Sequence, residues 1–263
     1  MTIALGIDVG GTGIKAALVD TEAGRLTTKR QKLATPAGGE PEAIIRTVTE
    51  LVAAIPGADG TIPVGIAFPT IVKRGRTLSA GNIAEAWVGL DAAERFAEAL
   101  GRSVVLLNDA DAAGHAELRF GAARGIDGTV ILTTLGTGIG SALIRDGVLV
   151  PNTEFGFLEL DGELAEARAA YSAKAREGLS WEEWAARLRR FYTHLERICS
   201  PDLLIVGGGV SKSSEQFLPL LGLDTPIVPA THRNSAGIIG AAVIAADRYG
   251  ESRSAHTRGR GIA

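Results

Sequence analysis

Apolar positions in the first half of the chain follow two different spacings. Strands are predicted at about residues 3–8, 14–20 and 26–34, and PVGIAFP and SVVLLNDAD have the apolar character of short buried strands. Between them, GEPEAIIRTVTELVAAI and VGLDAAERFAEALG carry apolar residues at helical spacing, and Gly101 is expected to end the second helix. Strands that alternate with helices predict a layered α/β fold.

The second half of the chain repeats this plan around a glycine cluster. GTVILTTLGTGIGSALIRDG predicts a strand, a glycine turn and a strand, as LGIDVGGTGIKAALVD does near the start. Both place Gly-Thr-Gly-Ile before an aliphatic strand and an aspartate. Two such hairpins about one domain length apart predict a duplicated fold with a phosphate-binding loop in each lobe. The plainer alternative is two tight turns, although neither cluster is expected to form a minimal two-residue loop.

The first glycine cluster does not have the spacing of the two commonest nucleotide motifs. A P-loop needs glycine before Lys-Ser/Thr, whereas Lys15 follows Ile14 and precedes Ala16. A dinucleotide fingerprint needs a helix after the glycines, but Ile14 to Val19 is β-branched and aliphatic. The cluster is therefore interpreted as a phosphate-binding hairpin.

Three later segments are also distinctive. LSWEEWAARLRRFYTHLERICS predicts a helix that begins with a Ser180–Glu183 capping box and has one apolar stripe for core packing. The stripe comprises Trp181, Trp184, Leu188, Phe191, Leu195 and Ile198, with Cys199 beside it. PDLLIVGGGVSK predicts a buried strand that ends in glycines, where a flat or phosphorylated group can approach the backbone. NSAGIIGAAVIAADRYG predicts a small-residue helix, suited to tight packing against a glycine-containing strand or to nucleotide contact.

Composition and charge narrow the class of protein. Of the 263 residues, 46% are hydrophobic and 22% are charged, which is typical of a globular chain. The net charge of −3 gives no basic field for nucleic acid, and Cys199, the single cysteine, excludes an internal disulfide and a cysteine-cluster metal site. MTIALGID has neither the basic start nor the cleavage site of a secretory leader, and no apolar run reaches membrane-spanning length. A cytoplasmic enzyme without a membrane partner is expected, with residues 251–263 as a flexible tail.

Candidate catalytic groups follow the buried strands. Asn108 and Asp109 come directly after SVVLL, and a carboxylate at such a strand end can accept a proton from an attacking hydroxyl. The alternative is that one of the two caps the helix ADAAGHAELRFGA. Asp8 precedes the first glycine turn and can hold Mg²⁺ through water. Polar side chains that can bond sugar hydroxyls, though weak signals alone, are Asn82, Asn108, Glu154 and Glu159.

Taken together, these motifs resemble the ROK sugar kinases, and most closely their polyphosphate glucokinase branch, which includes polyphosphate/ATP glucomannokinases. The matching stretches, in chain order, are LGIDVGGTGIKAALVD, SAGNI, LNDADAAGHAELRFGA, TTLGTGIGSALIRDGVLVPNTEFG, LSWEEWA, SPDLLIVGGGVSK, and TPIVPA with NSAGIIGAA. The resemblance implies a two-lobed actin-like (ribonuclease H-like) α/β fold with duplicated lobes and a central cleft. The implied lobes are residues 1–109 with 237–250, and residues 110–236.

The resemblance also implies an activity and a site. The reaction is transfer of a terminal phosphoryl group from polyphosphate, ATP or both to the 6-hydroxyl of glucose, with Mg²⁺, without zinc, and in a homodimer. Asp109 corresponds to the general base, and sugar binding is implied for Asn82, Asn108, Asp109, Glu154, Phe157 and Glu159. Phosphate or nucleotide binding is expected of Asp8, Gly10, Gly11, Thr12, Gly13, Lys15, Thr134, Gly136, Thr137, Gly138, Gly207, Gly208 and Gly209.

Two positions depart from the family pattern. In the family's Glu-x-Gly-His motif the histidine bonds glucose, whereas this chain reads EFGF from Glu154 and has Phe157 in place of the histidine. Thr70 stands where the family usually has glycine. Phe157 leaves two alternatives open, namely a kinase for another sugar or polyol and a catalytically weak sugar-binding paralogue. A third motif, VKRGR, is interpreted as a solvated turn, with polyphosphate contact as its alternative.

Overall fold

The computed structural model describes residues 2–81 and 83–258. The strands within these residues are β1 (Ile3–Gly10), β2 (Gly13–Asp20), β3 (Arg25–Leu26), β4 (Gln31–Leu33), β5 (Val64–Phe68), β6 (Val72–Lys73), β7 (Arg76–Thr77), β8 (Val104–Asn108), β9 (Thr129–Leu135), β10 (Ile139–Arg145), β11 (Val148–Val150), β12 (Glu159–Leu160), β13 (Glu163–Leu164), β14 (Leu203–Gly207) and β15 (Ile227–Pro229). The α-helices are α1 (Pro41–Ala53), α2 (Ala92–Leu100), α3 (Asp109–Phe120), α4 (Ala165–Ala169), α5 (Tyr171–Glu177), α6 (Trp181–Cys199) and α7 (Ala236–Arg258).

The chain divides into two compact units. The first contains Met1–Ala112 and Gly237–Ala263, and the second contains Ala113–Ala236. In the part of the chain that the structure describes, no helix combines the length and the apolar character that crossing a bilayer requires.

The first unit is built on a mixed sheet in the order β3-β2-β1-β5-β8, with β4 also paired to β2. The first two strands form an antiparallel hairpin, and β1, β5 and β8 run parallel. The predicted strand over 26–34 is wrong, because the segment forms two short strands, β3 and β4. Between β3 and β4, the Leu18 N–H of β2 donates to the Thr28 hydroxyl. A side-chain oxygen thus takes the place of the backbone carbonyl that a continuous strand would offer to Leu18.

Helix α7 packs on this sheet through glycines, as its small residues predict. A Cβ atom on Gly6 of β1 or on Gly65 of β5 would overlap the carbonyl oxygen of Ile238 or Ala241, respectively. Only glycine allows the helix backbone to approach the strands so closely. The helix continues to Arg258, so residues 251–258 of the expected tail are helical, and residues 259–263 lie outside the described residues.

The second unit has a sheet in the order β11-β10-β9-β14-β15, on which α6 packs. The capping box is confirmed, because Glu183 N–H donates to Ser180 Oγ at 3.2 Å and Ser180 N–H donates to Glu183 Oε2 at 2.8 Å. Four residues of the predicted stripe are buried, whereas Ile198 is 49% exposed. Tyr192 is buried instead, and its hydroxyl shares a hydrogen bond of 2.6 Å with Thr133 of β9.

Burial affects the ionisation of two side chains beside this core. It raises the pKa of the Tyr192 phenol, which therefore stays neutral and ties α6 to β9. It also raises the pKa of the Cys199 thiol, which is half-buried against the same core, so Cys199 behaves as a packing residue.

The two glycine hairpins differ in their loops. Gly10 pairs with Gly13, so the first hairpin has a two-residue loop, Gly11–Thr12, and the expectation of a longer loop is wrong there. The loop is shorter because Gly10 and Gly13 belong to the strands, and the sequence pattern does not distinguish strand glycines from turn glycines. Ile139 pairs with Leu135, so the second hairpin has a three-residue loop, Gly136–Gly138.

VKRGR forms a third and shorter hairpin, made of β6 and β7. Its two loop residues, Arg74 and Gly75, have φ angles of 54° and 82°, the positive values that a tight hairpin turn with the twist of its strands requires. The interpretation as a turn therefore agrees with the structure, and contact with polyphosphate stays an untested alternative.

Candidate active site

In the first unit, predicted site residues lie at one edge of the sheet. The parallel register places Asp8 opposite Ala67, and Phe68 opposite Asn108. Because parallel strands end at the same edge, the residues that follow β1, β5 and β8 are neighbours there. This edge carries Asp8, Asn108 and Asp109, and also Thr70 just after β5.

Asn108 holds two elements together at this edge. Its Oδ1 accepts hydrogen bonds from the N–H groups of Ala110 at 2.9 Å and Asp111 at 3.0 Å, so Asn108 caps α3. Its Nδ2 donates to the Thr70 carbonyl oxygen at 3.1 Å. The capping alternative is therefore correct for Asn108, and this buried side chain fixes the start of α3 relative to the end of β5.

Asp109 is the first residue of α3 and is half-buried. Its Oδ1 accepts the N–H of Ala110 at 2.8 Å. The cap formed by Asn108 directs the helix start and therefore orients the Asp109 side chain at the sheet edge. A carboxylate in this position has the chemistry of a proton acceptor.

Thr70 introduces an unusual group beside Asn108. Thr70 is 2% exposed, and its hydroxyl has no hydrogen-bond partner among the described residues. A buried hydroxyl without a partner loses its bonds to water without replacement. The neighbourhood of the candidate base thus contains a buried hydroxyl without a partner in the described chain.

Asp8 and Lys15 face each other across the first hairpin. They are register partners in β1 and β2, and Lys15 Nζ lies 2.9 Å from Asp8 Oδ2. Asp8 also packs against Gly237, where an added Cβ would lie 3.1 Å from the Asp8 Cγ. The Lys15 ammonium, expected to bind phosphate, is therefore paired with the carboxylate expected to bind Mg²⁺.

The pair of Asp8 and Lys15 offers a metal ion one carboxylate and no complete set of protein ligands. No group of three or more His, Cys, Asp or Glu side chains is arranged to hold a metal ion within residues 2–81 and 83–258. Mg²⁺ commonly keeps several waters and binds one carboxylate together with substrate phosphates. Asp8 fits that water-rich mode, with phosphate oxygens as the main ligands.

In the second unit, two glycine segments meet at the ends of neighbouring parallel strands. Gly207, the last residue of β14, is the register partner of Thr134 near the end of β9. Gly208 has a φ of 82°, and a Cβ there would collide with the backbone of Leu135. The loop Gly136–Gly138 and the glycines after β14 therefore lie side by side, and phosphate or nucleotide binding there stays a prediction.

Two residues that sequence reasoning missed hold the loop Gly136–Gly138. Ser172 of α5 donates from its N–H to the Gly136 carbonyl at 3.0 Å and from its Oγ to the Thr137 carbonyl at 2.6 Å. Glu166 of α4 accepts the Ile139 N–H at 3.1 Å. Both follow the loop by about 30 residues in a segment with no motif, so no sequence signal identifies them.

The turn that carries Glu154 and Phe157 packs beside the same loop. Residues Phe155–Phe157 form a 3₁₀ turn, and a Cβ on Gly156 would overlap the carbonyl oxygen of Ile139, the residue after the loop. Glu154 is half-buried, and Phe157 is 47% exposed. Phe157 is therefore not a core aromatic side chain.

The remaining predicted residues are placed as follows. Glu159 is exposed and lies in the small β12–β13 pair. Asn82 lies outside the described residues. His115, His194 and His232 are not part of any metal-ligand group within the described chain.

Comparison with known proteins identifies the family. Residues 4–157 match the model of the ROK family. A polyphosphate glucokinase of Mycobacterium tuberculosis is 46% identical over 239 residues, covering 90% of this chain and 89% of that protein. A polyphosphate glucokinase of Mycobacterium leprae is 44% identical over 90% of this chain and 73% of its own length.

Solved structures agree with the sequence comparison. The inorganic polyphosphate/ATP-glucomannokinase of an Arthrobacter species has a TM-score of 0.92 and 48% identity, covering 94% of this chain and 100% of that one. A ROK glucokinase of Streptomyces griseus, solved with glucose and AMPPNP, has a TM-score of 0.79 and 26% identity, covering 93% and 99%. The predicted actin-like fold is confirmed, and the chain belongs to the ROK family.

Proposed function

We propose that this protein is a kinase that transfers the terminal phosphoryl group of polyphosphate or ATP to the 6-hydroxyl of glucose. The observation that carries this proposal is its similarity, across both units, to polyphosphate glucokinases and to a polyphosphate/ATP-glucomannokinase. The position of Asp109 beside Asn108, and the two glycine loops of the second unit, support it.

In the proposed reaction, the sugar 6-oxygen attacks the terminal phosphorus of the donor. The new O–P bond forms as the bond between that phosphorus and the rest of the donor breaks, and the departing chain keeps the electron pair. Asp109 accepts the hydroxyl proton and returns it to solvent after release of the sugar phosphate. Backbone N–H groups of the loop Gly136–Gly138 stabilise negative charge on the donor, which is the main catalytic contribution expected in phosphoryl transfer.

Magnesium belongs to the proposal as well. Asp8 would hold the ion through water, and Lys15 would keep Asp8 in position. When bound, Mg²⁺ neutralises charge on the donor phosphates. Sugar binding by Asn82, Asn108, Glu154 and Glu159, assembly as a homodimer and location in the cytoplasm are proposed from the family resemblance.

A panel of donors and sugars tests the function. Purified protein is incubated with Mg²⁺, with polyphosphate or ATP at matched phosphate concentration, and with each sugar in turn, and products are read by mass. Glucose 6-phosphate from polyphosphate, with ATP as a second donor, is the expected result. Product from ATP but none from polyphosphate contradicts the donor assignment.

A kinase for a different sugar is the second candidate, which rests on Phe157 and which the similarity to polyphosphate glucokinases does not favour. Phe157 is half exposed on the turn after Glu154, where a ring presents an apolar face to any ligand that binds there. A phenyl ring cannot bond a sugar hydroxyl, and it suits a sugar that lacks or inverts that hydroxyl. The same panel decides this, because phosphorylation of another sugar at much lower KM than glucose supports the second candidate.

A further inference from the structure

The loop Gly136–Gly138 has a specific pattern of used and unused N–H groups. Gly136 N–H donates to the Gly138 carbonyl at 3.0 Å, and Ile139 N–H donates to Glu166 Oε2 at 3.1 Å. The N–H groups of Thr137 and Gly138 donate to no acceptor within the described chain. Two consecutive donors are therefore left unused, and Thr137 is exposed.

Ser172 determines the direction in which these two donors point. In a planar trans peptide, the C=O and N–H bonds point in opposite directions. The Ser172 N–H donates to the Gly136 carbonyl, which belongs to the same peptide group as the Thr137 N–H. The Ser172 Oγ donates to the Thr137 carbonyl, which belongs to the same peptide group as the Gly138 N–H. Both carbonyls therefore face Ser172, and both N–H groups face away from it.

Consecutive N–H groups that point to one side form a concave site for an anion. Glu166 limits this site to two donors, because its carboxylate occupies the Ile139 N–H and lies so close to Gly138 that a Cβ there would overlap it. An anion at the loop thus meets the Thr137 and Gly138 amides on the face opposite Ser172.

A related contact occurs in the first unit. The Thr35 hydroxyl donates to the carbonyl oxygen of Gly10, at the start of the loop Gly11–Thr12. By the same peptide geometry, the Gly11 N–H points away from Thr35. In each unit, a hydroxyl from a later segment of the chain thus binds a carbonyl at the glycine turn.

We propose that Ser172 is a positioning residue for the phosphoryl donor. By holding the Gly136 and Thr137 carbonyls, it keeps two backbone N–H groups directed at a donor phosphate without touching the donor itself. This inference rests on the proposed function, in which the loop binds donor phosphate. The competing explanation is that Ser172 only fastens the start of α5 to the sheet.

The test compares Ser172→Ala with Ser180→Ala. Each substitution removes a serine hydroxyl near the start of a helix in the second unit. Within the described chain, the Ser180 hydroxyl bonds Glu182 and Glu183 of its own helix terminus, whereas the Ser172 hydroxyl bonds the loop. Ser172→Ala is expected to raise the KM for polyphosphate and for ATP about two- to tenfold, the loss of one hydrogen bond, and to leave the glucose KM unchanged. Ser180→Ala should lower the unfolding temperature and leave both KM values unchanged. Ser172→Thr restores the hydroxyl and is expected to restore the donor KM.

Calorimetric binding of tripolyphosphate gives a readout besides activity. Weaker binding by Ser172→Ala, by the same factor, with wild-type binding by Ser180→Ala, supports the positioning role. Unchanged tripolyphosphate binding and donor KM in Ser172→Ala overturns it and leaves only the fastening of α5. If the wild-type protein transfers phosphate to no sugar, the proposed function fails, whereas the binding comparison still decides the role of Ser172.

Discussion

Gly65 of β5 and Ala241 of α7 are in backbone contact, with no room for a Cβ atom on Gly65 beside the Ala241 carbonyl oxygen. Gly65→Ala must therefore displace the helix or the strand in the centre of the first unit. Overpacking of this kind costs about 3 kcal/mol of the free energy of unfolding when backbone must move. Denaturant unfolding of the variant is expected to show a loss of that size.

Gly60→Ala is the matched control for this prediction. Gly60 is exposed and has no atom within 4 Å of the position of an added Cβ. Its substitution should change the free energy of unfolding by less than about 0.5 kcal/mol. Equal stability of the two variants would mean that α7 does not pack against β5 as described.

Asp109→Asn is expected to lower turnover at least 100-fold, about the contribution of a general base, while the fold and sugar binding persist. Asn108 still caps α3 in this variant, so the helix start is preserved. Steady-state kinetics with circular dichroism and glucose binding check the prediction. Asp127→Asn, at an exposed position, serves as the control with the same charge change. Near-normal turnover of Asp109→Asn rules out Asp109 as the base.

Phe157→His is expected to lower the glucose KM and to leave the polyphosphate KM unchanged. A new hydrogen bond to a sugar hydroxyl is worth about 1 kcal/mol at a half-exposed site, or roughly fivefold in affinity. Phe155→His, two residues earlier and partly packed in the core, should instead reduce stability without improving the glucose KM. A glucose KM that does not respond to Phe157→His removes Phe157 from the sugar site.

Thr70→Val tests the unsatisfied hydroxyl beside Asn108. Because the Thr70 hydroxyl has no partner in the described chain, an isosteric apolar side chain should leave the free energy of unfolding unchanged or raise it by about 1 kcal/mol. Thr77→Val is the contrasting variant, since the Thr77 hydroxyl donates to the carbonyls of Trp87 and Leu90. It should lose about 1 kcal/mol. A marked loss of stability in Thr70→Val would show that its hydroxyl is bonded, for example to a buried water.

The features predicted correctly from the sequence are those that local chemistry determines. The capping box of α6 joins Ser180 and Glu183, three residues apart, and the helix pattern follows from spacing alone. The glycine hairpins follow from two aliphatic strands around each cluster. The prediction that Ile198 belongs to the core stripe is wrong, because helical spacing gives the direction of a side chain and not where the neighbouring core ends.

Other features depend on contacts between distant segments. Asn and Asp have similar intrinsic preference for a helix N-cap, so the sequence does not distinguish Asn108 from Asp109 as the cap. In the structure Asn108 is the cap, and its amide also donates to the Thr70 carbonyl, which lies 38 residues earlier in the chain. Ser172 meets its loop across 35 residues, and neither partner belongs to a pattern that predicts the contact. Such pairings become visible only when the strands and helices have been assembled.

The packing of α7 on β1 and β5 also has a consequence for biosynthesis. The second unit is one continuous stretch, Ala113–Ala236, and leaves the ribosome before α7 does. Domains generally fold as they are completed during translation. The glycine face of β1 and β5 therefore stays uncovered until α7 has been synthesised, and we expect the first unit to complete its fold after the second.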